Sequence, residues 1–176
     1  MNEPLFVDPP EGVDGDPAQM LLSGEGAEYN CFPLSFSQER LWFLAELEPE
    51  SSLYTLAWSV ELRGRLDPPA LIAALRRIVD RHEILRTRFL EIGGHPLQHI
   101  LEDVTLAVPR VDLSALPPGH RRRESTRIGA GIADEPFVLS SAPLLRTVVV
   151  RRSASEHTLV VALHHIAADG WSMGVL

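Results

Sequence analysis

Two rhythms of apolar and polar positions alternate along this chain. Within PLSFSQERLWFLAEL (33–47), Leu41, Trp42, Leu44, Ala45 and Leu47 recur at three- and four-residue spacing, which predicts a helix with one apolar face. Ser37 is its expected N-cap, because a hydroxyl there can accept a hydrogen bond from an orphan amide of the first turn. EPESS ends that helix, and YTLAWSVELRG (54–64) switches to strict alternation in β-forming residues, the mark of a strand. Asp67 is placed to cap the next element, with Pro68 near its first position, where proline is tolerated. Leu71, Leu75, Ile78, Val79 and Leu85 then fall at helical spacing over 69–85, the clearest helix in the chain.

TRFLEIGGHPLQHIL (87–101) reads as two strands about a Gly-Gly turn. Pro117, Pro118 and Gly119 break the chain, and HRRRESTRIGAGIADEPF (120–137) is a polar helix. LLRTVVVRRSASEHTLVVALHH (144–165) predicts a second hairpin, whose last strand ends on two histidines. The order helix, strand, helix, hairpin, helix, hairpin argues for an α/β fold, an α+β-like mixed sheet flanked by helices, without internal repeats. Residues 1–30 have no such rhythm. They are rich in Pro, Gly, Asp and Glu and are expected to form a flexible leader, with QMLL (19–22) as a short apolar patch. Residues 31–176 form the folded body.

Charge sharpens that division. Seven of the 24 acidic residues and none of the 16 basic ones fall within 1–30, so the formal charge of −8 belongs mostly to the leader and the body is nearly neutral. All the basic residues are Arg. Neither part presents the basic face that nucleic-acid binding needs. No window approaches the ~18 uninterrupted apolar residues of a membrane span, and the N-terminus lacks a basic stretch followed by an apolar one, so no signal peptide is expected. The one cysteine, Cys31, cannot form an internal disulfide, which suits a reducing cytoplasm. It is read as a small apolar residue beside Phe32 rather than a catalytic thiol.

The chemistry concentrates in LVVALHHIAADGWSMGVL (159–176). Side chains alternate along a strand, so His164 and His165 should face opposite sides, one toward packing and one toward a cleft. Three readings are open. His164, His165 and Asp169 could ligate a metal, but no further Cys, His or acid lies nearby in sequence. Both histidines could be structural. Or one is a general base, an imidazole that titrates near neutrality on a rigid strand at a loop junction, with Asp169 orienting it or anchoring the loop and Gly170 allowing close approach. Ser172 has no glycine-flanked elbow, so a covalent acyl-enzyme is not implied, which leaves direct transfer between two bound substrates.

HHIAADG (164–170) resembles the HHxxxDG motif of nonribosomal peptide synthetase condensation domains. SFSQERLW (35–42) is similar to their first core motif, SxAQxRLW, with Ser37 where alanine is usual, and RHEILRTRF (81–89) fits the second, RHExLRTxF, without departure. HHxxxDG alone would also suit other acyltransferases; the three motifs in order are specific, and the resemblance covers about 31–176.

It implies the N-terminal lobe of a chloramphenicol-acetyltransferase-like fold, with the C-terminal lobe absent from this chain. The implied reaction is amide bond formation between aminoacyl or peptidyl groups carried as thioesters on 4'-phosphopantetheine arms of donor and acceptor peptidyl carrier proteins. The chain itself would bind no cofactor. The second histidine, His165, would be the functional one. His164 and Asp169 would be structural, Asp169 pairing with an arginine, for which Arg86 of the second motif is the candidate. The amide of Gly170 would help hold the developing oxyanion. DGWS with QERLWFLAELEP resembles the subtype that takes an L-configured donor, with a starter domain as the alternative. The rival reading is a non-catalytic half-domain that binds carrier or partner proteins, with self-association through the face its missing lobe would cover. Arg121, Arg122 and Arg123 could dock an acidic carrier, but the solvated face of a polar helix is the plainer reading. His95 and His99 are expected at a hairpin's surface or edge.

Overall fold

The computed structural model describes residues 30–169. All of the 1–30 leader but Asn30 lies outside them, as do Gly170, Trp171 and Ser172. Strand β1 (Cys31–Pro33) leads into helix α1 (Phe36–Leu47). Its N-cap is Ser35, not Ser37. Ser35 Oγ accepts from the Gln38 amide at 3.3 Å, and Gln38 Oε1 accepts from the Ser35 amide at 2.9 Å. The reciprocal pair needs Glu or Gln three residues after the cap; Ser35 has Gln38 there, whereas Ser37 has Arg40. Leu41, Trp42 and Ala45 pack on the core as expected, but Leu47 is exposed, together with Phe36 and Phe43.

Strand β2 (Thr55–Arg63) and helix α2 (Pro68–Arg81) follow. Asp67 Oδ1 accepts from the Ala70 amide at 3.1 Å, with Pro68 at the first helical position. The helix stops four residues short of Leu85, and a separate 3-10 turn (Glu83–Arg86) carries Leu85 into the core. Strands β3 (Thr87–Ile92) and β4 (His95–Ile100) form the expected hairpin. Gly93 (φ 60°) and Gly94 (φ 82°) both lie in the left-handed region, which a two-residue turn of this kind demands of its central residues. Strand β5 (Arg110–Asp112) precedes helix α3 (Pro118–Asp134), which starts at Pro118 itself; the prolines open this helix instead of merely preceding it. Strands β6 (Leu145–Arg151) and β7 (Glu156–His164) close the described chain.

The strands divide between two sheets. One is antiparallel, in the order β1-β4-β3; the other is mixed, in the order β2-β7-β6-β5, with β5 parallel to β6. The mixed sheet is covered on both faces. Leu75 and Val79 of α2 pack with Leu145, Val149, Leu159 and Leu163. On the other face Ile128 and Ile132 of α3 meet Val148, Val150 and Val160. Burial on both sides explains why 148–150 and 159–163 are continuous apolar runs instead of alternating ones. It also makes β7, flanked by β2 and β6, the most enclosed strand of the mixed sheet and a firm mount for the residues at its end.

Candidate functional site

The end of β7 is held from both sides. The His164 amide donates to the Leu144 carbonyl at 3.3 Å, and the His165 amide donates to the Tyr54 carbonyl at 2.8 Å. The pair divides as the alternation predicts. His164, the last strand residue, is buried, while His165, one step on, is only partly so. The His164 ring lies between two aromatics, with Phe137 edge-on at 6.0 Å between centroids and Tyr54 tilted at 6.4 Å. Its Nδ1 accepts the Ile166 amide at 3.1 Å, so a neutral ring carries its proton on Nε2. Burial, and second the proximity of His165, push the His164 pKa down to about 4. At neutral pH His164 is therefore an uncharged prop. Packed between two aromatics with Nδ1 occupied, it is poorly placed to share a metal with His165.

The turn after β7 is closed by the Ala167 amide donating to the His164 carbonyl at 3.0 Å, and Ile166, Ala167 and Ala168 are buried. His165 is thus a partly exposed imidazole whose main chain is fixed before and after it. Asp169, the last described residue, is exposed and interacts with a neighbouring group. Arg86, at the end of the 3-10 turn, donates from Nη1 to the carbonyls of Leu101 and Glu102, the latter at 3.3 Å. Its buried Nε has no hydrogen-bond partner among the described residues. Gly170 lies outside them.

The remaining candidates lie away from the histidine pair in sequence. Cys31 is buried, and burial pushes its thiol pKa up, away from the nucleophilic thiolate. His95 is exposed at the hairpin, but His99 sits on the central strand of its sheet and accepts from Arg88 Nε at 3.2 Å, so it is no edge residue. Arg121 Nε donates to the Leu116 carbonyl at 2.6 Å, while Arg122 and Arg123 are exposed on α3. A cleft of about 660 Å³ opens beside His157, Arg110 and Leu66. His157 is seven residues from His164 along β7, roughly 23 Å at strand rise, and His165 lies one residue further, so this cleft does not serve His165. Residues that sequence reasoning missed are Tyr54, Phe137 and Arg146. No spacing rule marks them; only the β2–β7 register and the loop before β6 bring them to the histidines.

The mixed sheet between helices, with an imidazole just past the end of one of its two inner strands, matches part of the chloramphenicol-acetyltransferase-like fold of solved condensation domains. A family model described as "Condensation domain" matches residues 28–176, and the chain belongs to that family, the condensation domains of nonribosomal peptide synthetases. Phosphinothricin tripeptide synthetase PhsC of Streptomyces viridochromogenes is 41% identical over 144 residues, covering 82% of this chain and 13% of the synthetase. The starter condensation domain of rhizomide synthetase RzmA superposes with a TM-score of 0.76 at 23% identity, over 82% of this chain and 35% of that one. The first condensation domain of the calcium-dependent antibiotic synthetase, solved with a substrate analogue, gives a TM-score of 0.74 at 26% identity, over 81% of this chain and 34% of that one. The chain thus spans about a third of the solved condensation-domain chains and a smaller share of the synthetase. Among the described residues no helix is long and apolar enough to cross a membrane.

Proposed function

We propose that this chain supplies the histidine-bearing lobe of a condensation site that joins an aminoacyl or peptidyl donor to an acceptor amine. Both would be carried on 4'-phosphopantetheine arms of peptidyl carrier proteins, and the donor would be L-configured. In this reading residues 31–176 are the N-terminal lobe, residues 1–30 a leader outside the fold, and the C-terminal lobe completes the channel. The acceptor nitrogen attacks the thioester carbonyl, forming the C–N bond. His165 takes the proton from the zwitterionic adduct. The C–S bond then breaks, and the proton passes to the departing thiolate. A free α-amine titrates at about 7.7–8.0, so a fraction is already neutral at pH 7 and His165 need not be a strong base. Asp169 pairing with Arg86, and Gly170 donating its amide to the oxyanion, complete the reading carried by the motifs.

The observation that supports it most is the division of labour at the end of β7, where a buried neutral His164 props a partly exposed His165. The test uses the complete domain with loaded donor and acceptor carriers. His165→Ala should lower dipeptidyl thioester formation by ~100–10,000-fold, the usual range for general acid–base groups, while the protein stays folded. Transfer within a few-fold of wild type would remove His165 from the chemistry and favour the non-catalytic interaction module.

A further inference from the structure

Behind His164 the structure holds a stack that the motifs do not include. Arg146 of β6 places its guanidinium carbon 3.9 Å from the centroid of the Phe137 ring. The same guanidinium donates from Nη1 to the Glu135 carbonyl and from Nη2 to the Pro136 carbonyl, and its Nε lies 3.8 Å from the Glu135 carboxylate. Phe137, itself buried, meets the His164 ring in a T-shaped pair.

We propose that Arg146 and Phe137 are positioning residues for the histidine pair: the guanidinium fixes the loop and the Phe137 ring, the ring fixes the His164 imidazole, and His164 Nδ1 fixes the turn that presents His165. The last link rests on the reading of His165 as the condensation histidine; the earlier links do not.

Three features carry the inference. First, the segment between α3 and β6 has no regular structure of its own, so side-chain contacts set the Phe137 position. The ring packs in the cluster of Leu34, Phe89, Leu139, Leu144 and Ile166, and Arg146 adds a hold at two successive carbonyls and one ring face. A planar fork suits that task, and the point charge of a lysine does not. Second, the far side of this segment is anchored separately, by the Phe89 amide donating to the Leu139 carbonyl at 2.8 Å. Loss of Arg146 should therefore loosen Phe137 without releasing the whole loop. Third, the Arg146 side chain is largely buried, an environment that disfavours its charge and is offset here by the carbonyls and the ring face. A charge held in that way does more than decorate a surface.

The experiment uses the full 176-residue chain with Arg146→Leu, Arg146→Lys and Phe137→Leu. Long-range ¹H–¹⁵N spectra of the imidazoles at pH 7 report the tautomer, and hydrogen exchange reports the Ile166 amide. Wild type should show His164 as a single Nε2–H tautomer with a protected Ile166 amide. Arg146→Leu and Phe137→Leu should give mixed tautomers and at least tenfold faster Ile166 exchange, and Arg146→Lys should restore only part. Wild-type tautomer and protection in both variants would overturn the proposal. If Arg146→Leu fails to fold, Phe137→Leu, which keeps an apolar side chain, carries the same test. In the complete domain, Phe137→Leu should slow transfer about tenfold. Unaltered transfer, where His165→Ala is inactive, would overturn the positioning role; an active His165→Ala would overturn the reading of His165 instead.

Discussion

His164 Nδ1 accepts the amide hydrogen of Ile166 at 3.1 Å, so the first histidine of the pair closes the turn that carries the second. The bond requires an unprotonated Nδ1. Protonating His164 would turn the acceptor into a donor facing a donor, inside a cage of Tyr54 and Phe137. That relationship makes the site's integrity depend on pH in a definite direction.

The His164 pKa is lowered from 6.5 to about 4 in the folded chain, chiefly by burial. Between those values the unfolded chain binds the proton and the folded chain does not, so stability rises with pH across this window. The contribution is intact above about 6.5 and is lost as pH falls toward 4, on the order of 3 kcal/mol in all at 1.36 kcal/mol per unit. His99, also lowered by burial and by Arg88, acts in the same direction. Urea unfolding at pH 7, 6 and 5 should show the midpoint falling, and His164→Asn should flatten the dependence. An equal slope in the variant would mean that His164 is not the titrating group.

The two histidines should differ sharply as stability elements. His164→Ala removes a buried ring and leaves the Ile166 amide without its acceptor, each a recognised source of a loss of about 1–3 kcal/mol. His165 is partly exposed, and the hydrogen bond it makes is from its main chain, so His165→Ala should fall within about 0.5–1 kcal/mol of wild type. Thermal melts of both variants at pH 7 check this. Equal losses would contradict the division of roles.

Ser35→Ala should destabilise the chain by about 1 kcal/mol through loss of the helix cap, and Ser37→Ala should be nearly neutral, as denaturant titrations would show. The hydrophobic pattern alone points to Ser37; the reciprocal bond with Gln38 decides for Ser35. This marks where sequence reading succeeds and where it stops. Asp67–Pro68 and Gly93–Gly94 are legible because each sets local backbone chemistry by itself. The split of the histidines is legible from strand alternation. Strands β1 and β5 are not, being three residues long, too short to show a period, and stabilised by β4 and β6 far along the chain. Tyr54, Phe137 and Arg146 are hidden for the same reason. Their roles come from register and packing, not from spacing.

The last prediction concerns the outer face of α1. Phe36, Phe43 and Leu47 are 92%, 61% and 65% exposed. At 100° per residue, positions 36, 43 and 47 lie within about 20° of one line along the helix, so they form a stripe instead of scattered apolar residues. Leu41, Trp42 and Ala45 already face the core, so this second stripe has no partner among the described residues. Contiguous exposed apolar surface of this kind drives association. The chain should therefore show concentration-dependent sedimentation, and Phe43→Glu with Leu47→Glu should return it toward monomer without lowering its melting temperature by more than a few degrees. The same geometry bears on catalysis. In the proposed reading His165 presents an imidazole from one wall of a channel, and holding two tethered substrates in line can supply ~7–11 kcal/mol of a barrier. On that reading residues 31–176 offer one wall for that task. Incubated with loaded donor and acceptor carriers, the 176-residue chain should yield no dipeptidyl thioester above the His165→Ala background by mass spectrometry. Product above that background, lost in the Phe43→Glu, Leu47→Glu variant, would mean that a dimer rebuilds the site; product that survives in the variant would mean that one lobe suffices.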